Sequence, residues 1–312
     1  MEIDPLLAPV LGQLSAGEPP ANIAAFRAGE LATARQIEGT LTSVVPASVR
    51  VRDTVIPGEP EIPIRIYTPT SAPDGDHLRA GLLFAHGGGW ASGSIEAADG
   101  HCGDMAAGAD LVVVSVDYRL IPEHPFPAGL DDVSAALRWF ADHAEELGVD
   151  ATRLAIGGES AGANLAAVAA IQAVRAGGPE LRLQLLEVAA LDLTDGMTDS
   201  RSEVLAMLPD FAHSLEAVRD AYVATGADPH DPRVSPLLTK DLSGLPTTLL
   251  LAADVDPVRD DSVAYAERLT EAGVAARCRI FPGIVHGTET FTLLLPSARE
   301  WLRECVDALR GV

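Results

Sequence analysis

The feature that most constrains this chain is a series of short, nearly unbroken apolar runs separated by helix-length segments. Leu82-Leu83-Phe84-Ala85 and Leu111-Val112-Val113-Val114-Ser115-Val116 show almost no alternation of apolar and polar residues. A strand can be apolar at successive positions only when both of its faces are covered. A helix is predicted near Leu130 to Leu147, then a strand ending at Ile156 and a small-residue helix from about Ala161 to Arg175. Further strands are predicted at Leu183 to Leu191, Thr247 to Ala253 and Ala276 to Phe281, with helices at about Val258 to Ala272 and Pro296 to Leu309. Strand and helix thus alternate from residue 80 onward, an order that specifies an α/β fold with a mostly parallel, doubly wound sheet covered on both sides.

Upstream, Val49 to Val55 and Ile62 to Tyr67 do alternate, as antiparallel strands near a sheet edge would. They bring the predicted sheet to about eight strands. Ser71 to Asp76 reads as a polar turn. Leu6, Leu7, Val10, Leu11 and Leu14 recur at helical spacing, Gly17-Glu18-Pro19-Pro20 breaks that segment, and a second helix is predicted over Ile23 to Ile37. Thr194 to Leu238 is longer than an ordinary crossover. It contains Phe211 to Tyr222 at helical spacing and a Pro-rich tail, Asp228-Pro229-His230-Asp231-Pro232. The expected organisation is a core of residues 46–193 and 239–312. A cap over the C-terminal edge of the sheet is expected from the N-terminal helices (1–45) and the insertion 194–238.

Composition narrows the function. A formal net charge of -23 repels phosphate backbones and anionic lipid, so neither nucleic-acid binding nor stable membrane association is expected. No apolar run is long enough to cross a bilayer and no signal-like stretch follows Met1-Glu2-Ile3-Asp4-Pro5, which predicts a cytoplasmic protein. Lys240 is the only lysine, which argues against a Schiff-base site. Cys102, Cys278 and Cys305 form no CxxC pair, so no zinc or redox motif is present and no metal or cofactor is expected. The sequence leaves a homodimer open.

Two glycine-rich segments carry chemistry. Gly158-Glu159-Ser160-Ala161-Gly162 fits G-x-S-x-G between the strand at Leu154-Ala155-Ile156 and the helix continuing through Asn164-Leu165. A serine on such a corner exposes its hydroxyl, and the helix that follows turns its free N–H groups toward developing negative charge. The Ala161 N–H, next after the nucleophile, is the expected oxyanion donor. His86-Gly87-Gly88-Gly89-Trp90 directly follows the Leu82 to Ala85 strand. Its glycines can expose consecutive N–H groups, as an oxyanion hole requires. Neither G-x-x-x-x-G-K-[ST] nor a G-x-G-x-x-G with a ribose-binding acid accompanies them, so a nucleotide site is the weaker reading.

A hydroxyl nucleophile needs a neutral imidazole backed by a carboxylate. His213 and His230 fall in the expected cap, whereas His286, in Phe281-Pro282-Gly283-Ile284-Val285-His286-Gly287, follows the last strand and is the chosen base. Asp254, Asp256, Asp260 and Asp261 crowd the end of the Thr247 to Ala253 strand. Asp256 precedes Pro257 and could equally be a helix N-cap; spacing does not separate it from Asp254.

Taken together these segments resemble the hormone-sensitive-lipase-like esterases, or bacterial family IV lipases, over about residues 60–290. The matching residues are His86 to Trp90, Val116-Asp117-Tyr118-Arg119-Leu120-Ile121-Pro122-Glu123-His124-Pro125-Phe126-Pro127-Ala128, Gly158 to Gly162, Asp256-Pro257-Val258-Arg259-Asp260 and His286-Gly287. The resemblance implies an α/β-hydrolase fold with Ser160, Asp256 and His286 as the catalytic triad and Gly88, Gly89 and Ala161 as the oxyanion hole. It assigns His86 and Tyr118 to Ala128 a structural role around the oxyanion loop. Ala163, Val258 and Thr288 depart from the family pattern and bear on pocket shape.

The implied function is hydrolysis of a small-molecule ester of short to medium acyl length. Alternatives are amide or arylformamide hydrolysis on the same triad, or a non-catalytic ligand receptor on the same fold. A histidine base predicts activity falling below about pH 6.

Overall fold

A computed structural model describes residues 2–14, 22–71, 78–194, 196 and 198–312. The expected break at Gly17 to Pro20 and most of the turn at Ser71 to Asp76 lie outside the described residues. Among the described residues, eight strands form one sheet: β1 (Val49–Ile56), β2 (Ile62–Pro69), β3 (Arg79–Ala85), β4 (Val112–Val116), β5 (Val149–Glu159), β6 (Leu183–Glu187), β7 (Thr247–Val255) and β8 (Ala276–Val285). Their spatial order is β1-β2-β4-β3-β5-β6-β7-β8. β2 pairs antiparallel with β1 and with β4, and every other pairing is parallel. The mostly parallel, doubly wound eight-stranded sheet expected from the alternation is therefore present.

The apolar runs divide between two cores. On β3, Leu83 and Ala85 enter one cluster while Leu82 and Phe84 enter the other. On β4, Val112, Val114 and Val116 face the first and Val113 the second. One face is covered by α4 (Ala128–Asp142), α5 (Ala161–Ala176) and α8 (Arg259–Glu271), the other by α3 (Asp99–Ala109) and α9 (Pro296–Arg310). The remaining helices are α1 (Ala8–Leu14), α2 (Ile23–Ile37), α6 (Asp199–Met207) and α7 (Pro209–Ala224). None is long and apolar enough to cross a membrane.

Several boundaries differ from expectation. β5 runs to Glu159, so the strand delivers its last residue directly to the corner serine. β6 ends at Glu187 rather than Leu191, and β8 continues to Val285, next to His286. α3 was not anticipated because Gly100, Gly103 and Gly108 give it poor helix propensity. Packing explains those glycines: a Cβ on Gly100 would lie 2.0 Å from the Ser43 carbonyl oxygen, and one on Gly108 would lie 2.7 Å from Val306.

Candidate active site

The C-terminal ends of β3, β5, β7 and β8 converge on one spot. At the end of β5, Ser160 adopts φ 54° and ψ -114°, a left-handed conformation costly for a residue with a Cβ. The flanking glycines permit that corner. An ideal Cβ on Gly158 would sit 2.6 Å from the Ala85 carbonyl oxygen, and one on Gly162 would sit 2.1 Å from it. The Ser160 N–H donates to the Glu187 carbonyl oxygen at 2.8 Å, which fixes the corner to β6.

His286 approaches from the loop after β8. Its Nε2 lies 2.9 Å from Ser160 Oγ, and its Nδ1 lies 2.9 Å from Asp256 Oδ2. Asp256 is fully buried. Burial opposes the charged form of His286, but the Asp256 carboxylate, assisted by Glu159, outweighs it and raises the imidazole above its ordinary 6.5. The expected fall in activity below about pH 6 therefore moves upward.

The acidic cluster after β7 sorts by geometry. Asp256 serves two partners: Oδ2 faces His286, and Oδ1 accepts the Val258 N–H at 2.9 Å. The alternative reading of Asp256 as the helix N-cap is not met: Val258 holds the N-cap position before Arg259, and Asp256 Oδ1 closes a turn ahead of it. Asp254 pairs with Arg259 at 3.6 Å. Asp260 accepts the Ser200 N–H at 2.8 Å, and Asp261 accepts the N–H groups of Leu191 and Asp192 at 3.1 and 3.0 Å. Asp260 thus holds the start of α6 and Asp261 the segment after β6, and neither faces the imidazole. His213 and His230 are exposed.

The glycine loop lies opposite. Gly88 and Gly89 have φ values of 118° and 60°. A Cβ on Gly88 would lie 2.3 Å from the Ser92 carbonyl oxygen. The Gly88 carbonyl accepts from the Ser92 N–H and hydroxyl, each at 2.9 Å, so the loop is pinned by its acceptors. Among the described residues, the N–H groups of Gly88 and Gly89 donate to no protein acceptor. Ala161 opens α5, where a helix N–H has no carbonyl one turn earlier.

His86 is engaged by the glycine loop and Tyr118. Its Nδ1–H donates to the Gly87 carbonyl at 2.7 Å, its ring stacks on Tyr118 at 4.4 Å, and burial pushes its pKa down to about 4. Tyr118 Oη donates to the His86 carbonyl at 2.9 Å, and the Ile121 N–H donates to the Trp90 carbonyl at 2.9 Å. The Tyr118 to Ala128 segment therefore braces the glycine loop.

Sequence reasoning did not single out Arg27 on α2. Its Nε donates to the Ala91 carbonyl and its Nη2 to the Ile121 carbonyl, each at 2.6 Å, and its guanidinium pairs with Glu123. Nor did it find the buried ion pair of His101 on α3 with Glu187, 2.9 Å apart, on which Trp301 Nε1 also converges at 2.6 Å. His101, Glu187 and Cys305 have ligand atoms within 4.8 Å of one another. The Glu187 oxygens already accept from all three neighbours, His101, Trp301 and Cys305, which describes a hydrogen-bonded ion pair. α7 packs beside the glycine loop: a Cβ on Gly89 would collide with Val218, Tyr222 stacks on Trp90 at 4.3 Å, and the Phe211 ring lies 6.5 Å from that of His286.

A corner serine at a strand-to-helix turn, followed in chain order by a carboxylate and an imidazole, defines the serine hydrolases built on an α/β sheet. The chain belongs to the α/β-hydrolase fold family, in its hormone-sensitive-lipase-like esterase branch. A family model described as alpha/beta hydrolase fold matches residues 82–290. The chain is 37% identical to carboxylesterase NlhH of Mycobacterium tuberculosis, covering 99% of this chain and 96% of that one. It is 38% identical to ethyl acetate hydrolase of Pseudomonas putida, over 80% of this chain and 78% of that one. Among solved structures, a hyperthermophilic esterase from the archaeon Pyrobaculum calidifontis superposes with a TM-score of 0.90 at 34% identity, covering 100% of this chain and 99% of that one.

Proposed function

We propose that this chain hydrolyses carboxylic esters of short to medium acyl length through an acyl-enzyme on Ser160. The observation that carries the reading is the line of contacts from Ser160 Oγ to His286 Nε2 and from His286 Nδ1 to Asp256, each 2.9 Å. In this scheme His286 takes the Ser160 proton as the hydroxyl attacks the ester carbonyl. Asp256 holds the tautomer with a proton on Nδ1 and stabilises the imidazolium. The N–H groups of Gly88, Gly89 and Ala161 receive the oxyanion; each such donor contributes about 2.7–4 kcal/mol to transition-state stabilisation. His286 then protonates the leaving alcohol and activates the water that releases the acid.

Residues 194–238 and the N-terminal helices act as a cap in this reading. The contacts of Val218, Tyr222 and Phe211 with the glycine loop and His286 support it, as does the Arg27 clamp. The preference for small esters draws support from the relative named ethyl acetate hydrolase and from α7 crowding Gly89. A series of chromogenic esters of increasing acyl length, run beside Ser160→Ala, tests it. Turnover should peak at short to medium chains and fall about 10⁶-fold in the variant. Undiminished turnover in Ser160→Ala would sink the assignment.

A further inference from the structure

Two carboxyl groups beside the reaction centre play no part in the acyl-transfer scheme. Glu159 precedes Ser160, and a Cβ on Gly87 would lie 2.9 Å from its Oε1. Glu289 lies three residues after His286 and is 1% exposed. Apart from the nearby N–H of its own backbone, neither Glu289 oxygen meets a donor with hydrogen-bond geometry among the described residues. The neighbouring charge that acts on Glu289 most strongly is the carboxyl of Glu159. Two carboxylate oxygens cannot bond each other unless one carries a proton, and two adjoining buried charges would repel strongly.

The surroundings decide where that proton sits. The titratable groups facing the pair are Glu187 on β6, His101 on α3, Asp256 after β7, Tyr118 after β4 and His286 after β8. His101 is already committed to Glu187. Burial raises both carboxyls, but Glu159 keeps partial exposure while Glu289 is sealed, so a single negative charge is cheaper on Glu159. Burial of Glu289, then the charge of Glu159, pushes its carboxyl well above the usual range.

We propose that Glu289 is held as the neutral acid and donates its proton to Glu159, tying the His286 loop to the nucleophile corner with one shared negative charge. Glu289 is then a positioning residue, acting through Glu159 on His286; its effect on rate rests on His286 being the base. The arrangement resolves the otherwise unpartnered Glu289 oxygens. It also leaves beside His286 the Glu159 charge that assists Asp256 in raising the imidazole.

The test uses Glu289→Gln and Glu159→Gln in the full chain, with kcat/KM measured against pH and an infrared difference spectrum between wild type and Glu289→Gln. Glu289→Gln replaces one neutral donor by another, so the acidic limb should keep its wild-type position. Glu159→Gln removes the charge, so the limb should move to lower pH. A protonated-carboxyl C=O band should be present in the wild type near neutral pH and lost in Glu289→Gln. If Glu289→Gln does not fold, Glu289→Asp should displace that band. An acidic limb that moves down in Glu289→Gln as in Glu159→Gln, or a spectrum without the band, overturns the proposal. Absence of ester turnover in the wild type would instead count against the catalytic reading, and the infrared band would still decide the state of Glu289.

Discussion

Asp256 holds His286 through a single oxygen, Oδ2, 2.9 Å from Nδ1, while its other oxygen is engaged by the Val258 N–H. The carboxylate therefore cannot rotate away without losing a backbone hydrogen bond, and the imidazole is presented to Ser160 in one tautomer. Asp256→Asn should keep the fold and lower kcat by about 10⁴-fold, because an amide nitrogen at this position favours the wrong tautomer. Asp254→Asn, which disturbs only the pair with Arg259, should leave kcat near wild type. Steady-state kinetics on the two variants separates the acids that spacing alone left open.

The pH profile follows from the same pair. A raised His286 needs a higher pH to supply neutral imidazole, so the acidic limb of kcat/KM should lie above the ordinary 6.5. A rate profile across pH 5 to 9 checks it; a limb below 6.5 would show that Asp256 and Glu159 do not outweigh burial.

Much of this site was legible in the sequence because its requirements are local. A serine at φ 54° between glycines that no Cβ could replace leaves a pattern in five consecutive residues. The long strands were legible from apolar runs that feed both cores. What stayed hidden depends on contacts far apart in sequence. Nothing local to Glu187 reveals that His101 and Trp301, 86 and 114 residues away, converge on it. Arg27 reads as one more basic residue on an exposed helix until the Ala91 and Ile121 carbonyls meet its guanidinium. The helix α3 was obscured because its glycines serve packing against local propensity. The choice of Asp256 came from resemblance, since the side-chain direction that excludes Asp254 is a property of three dimensions.

The two kinds of glycine give opposite expectations. Gly162→Ala would drive a methyl to 2.1 Å from the Ala85 carbonyl oxygen, so the strand-to-helix corner must shift. Both thermal stability and kcat should fall sharply. Gly29, inside α2, has nothing within 4 Å of an added Cβ and an ordinary helical conformation. Gly29→Ala should stabilise the protein by up to about 1 kcal/mol, measured by chemical denaturation.

The His101–Glu187 pair ties α3, β6 and α9 beneath the nucleophile corner. Burial disfavours both charges, but their mutual attraction raises His101 to about 9 and lowers Glu187 below 4.5. His101, raised in the folded state, gives its full stabilisation below its unfolded value near 6.5 and loses it as pH rises through about 9. Glu187, depressed in the folded state, gives its share above 4.5 and loses it as pH falls through its lowered value. Unfolding free energy should therefore decline from pH 6.5 to 9, and Glu187→Gln should flatten that decline. The variant should cost about 3–5 kcal/mol near pH 6, since it strands a buried cation.

The central claim is that Ser160 carries the acyl group. The most direct measurement is mass spectrometry of the peptide containing Ser160 after brief exposure to an activated short-chain ester or an ester-mimicking phosphonate. The account predicts one covalent adduct on Ser160, absent in Ser160→Ala and strongly slowed in His286→Ala. An adduct on another residue, or full ester turnover with Ser160 unmodified, would contradict it.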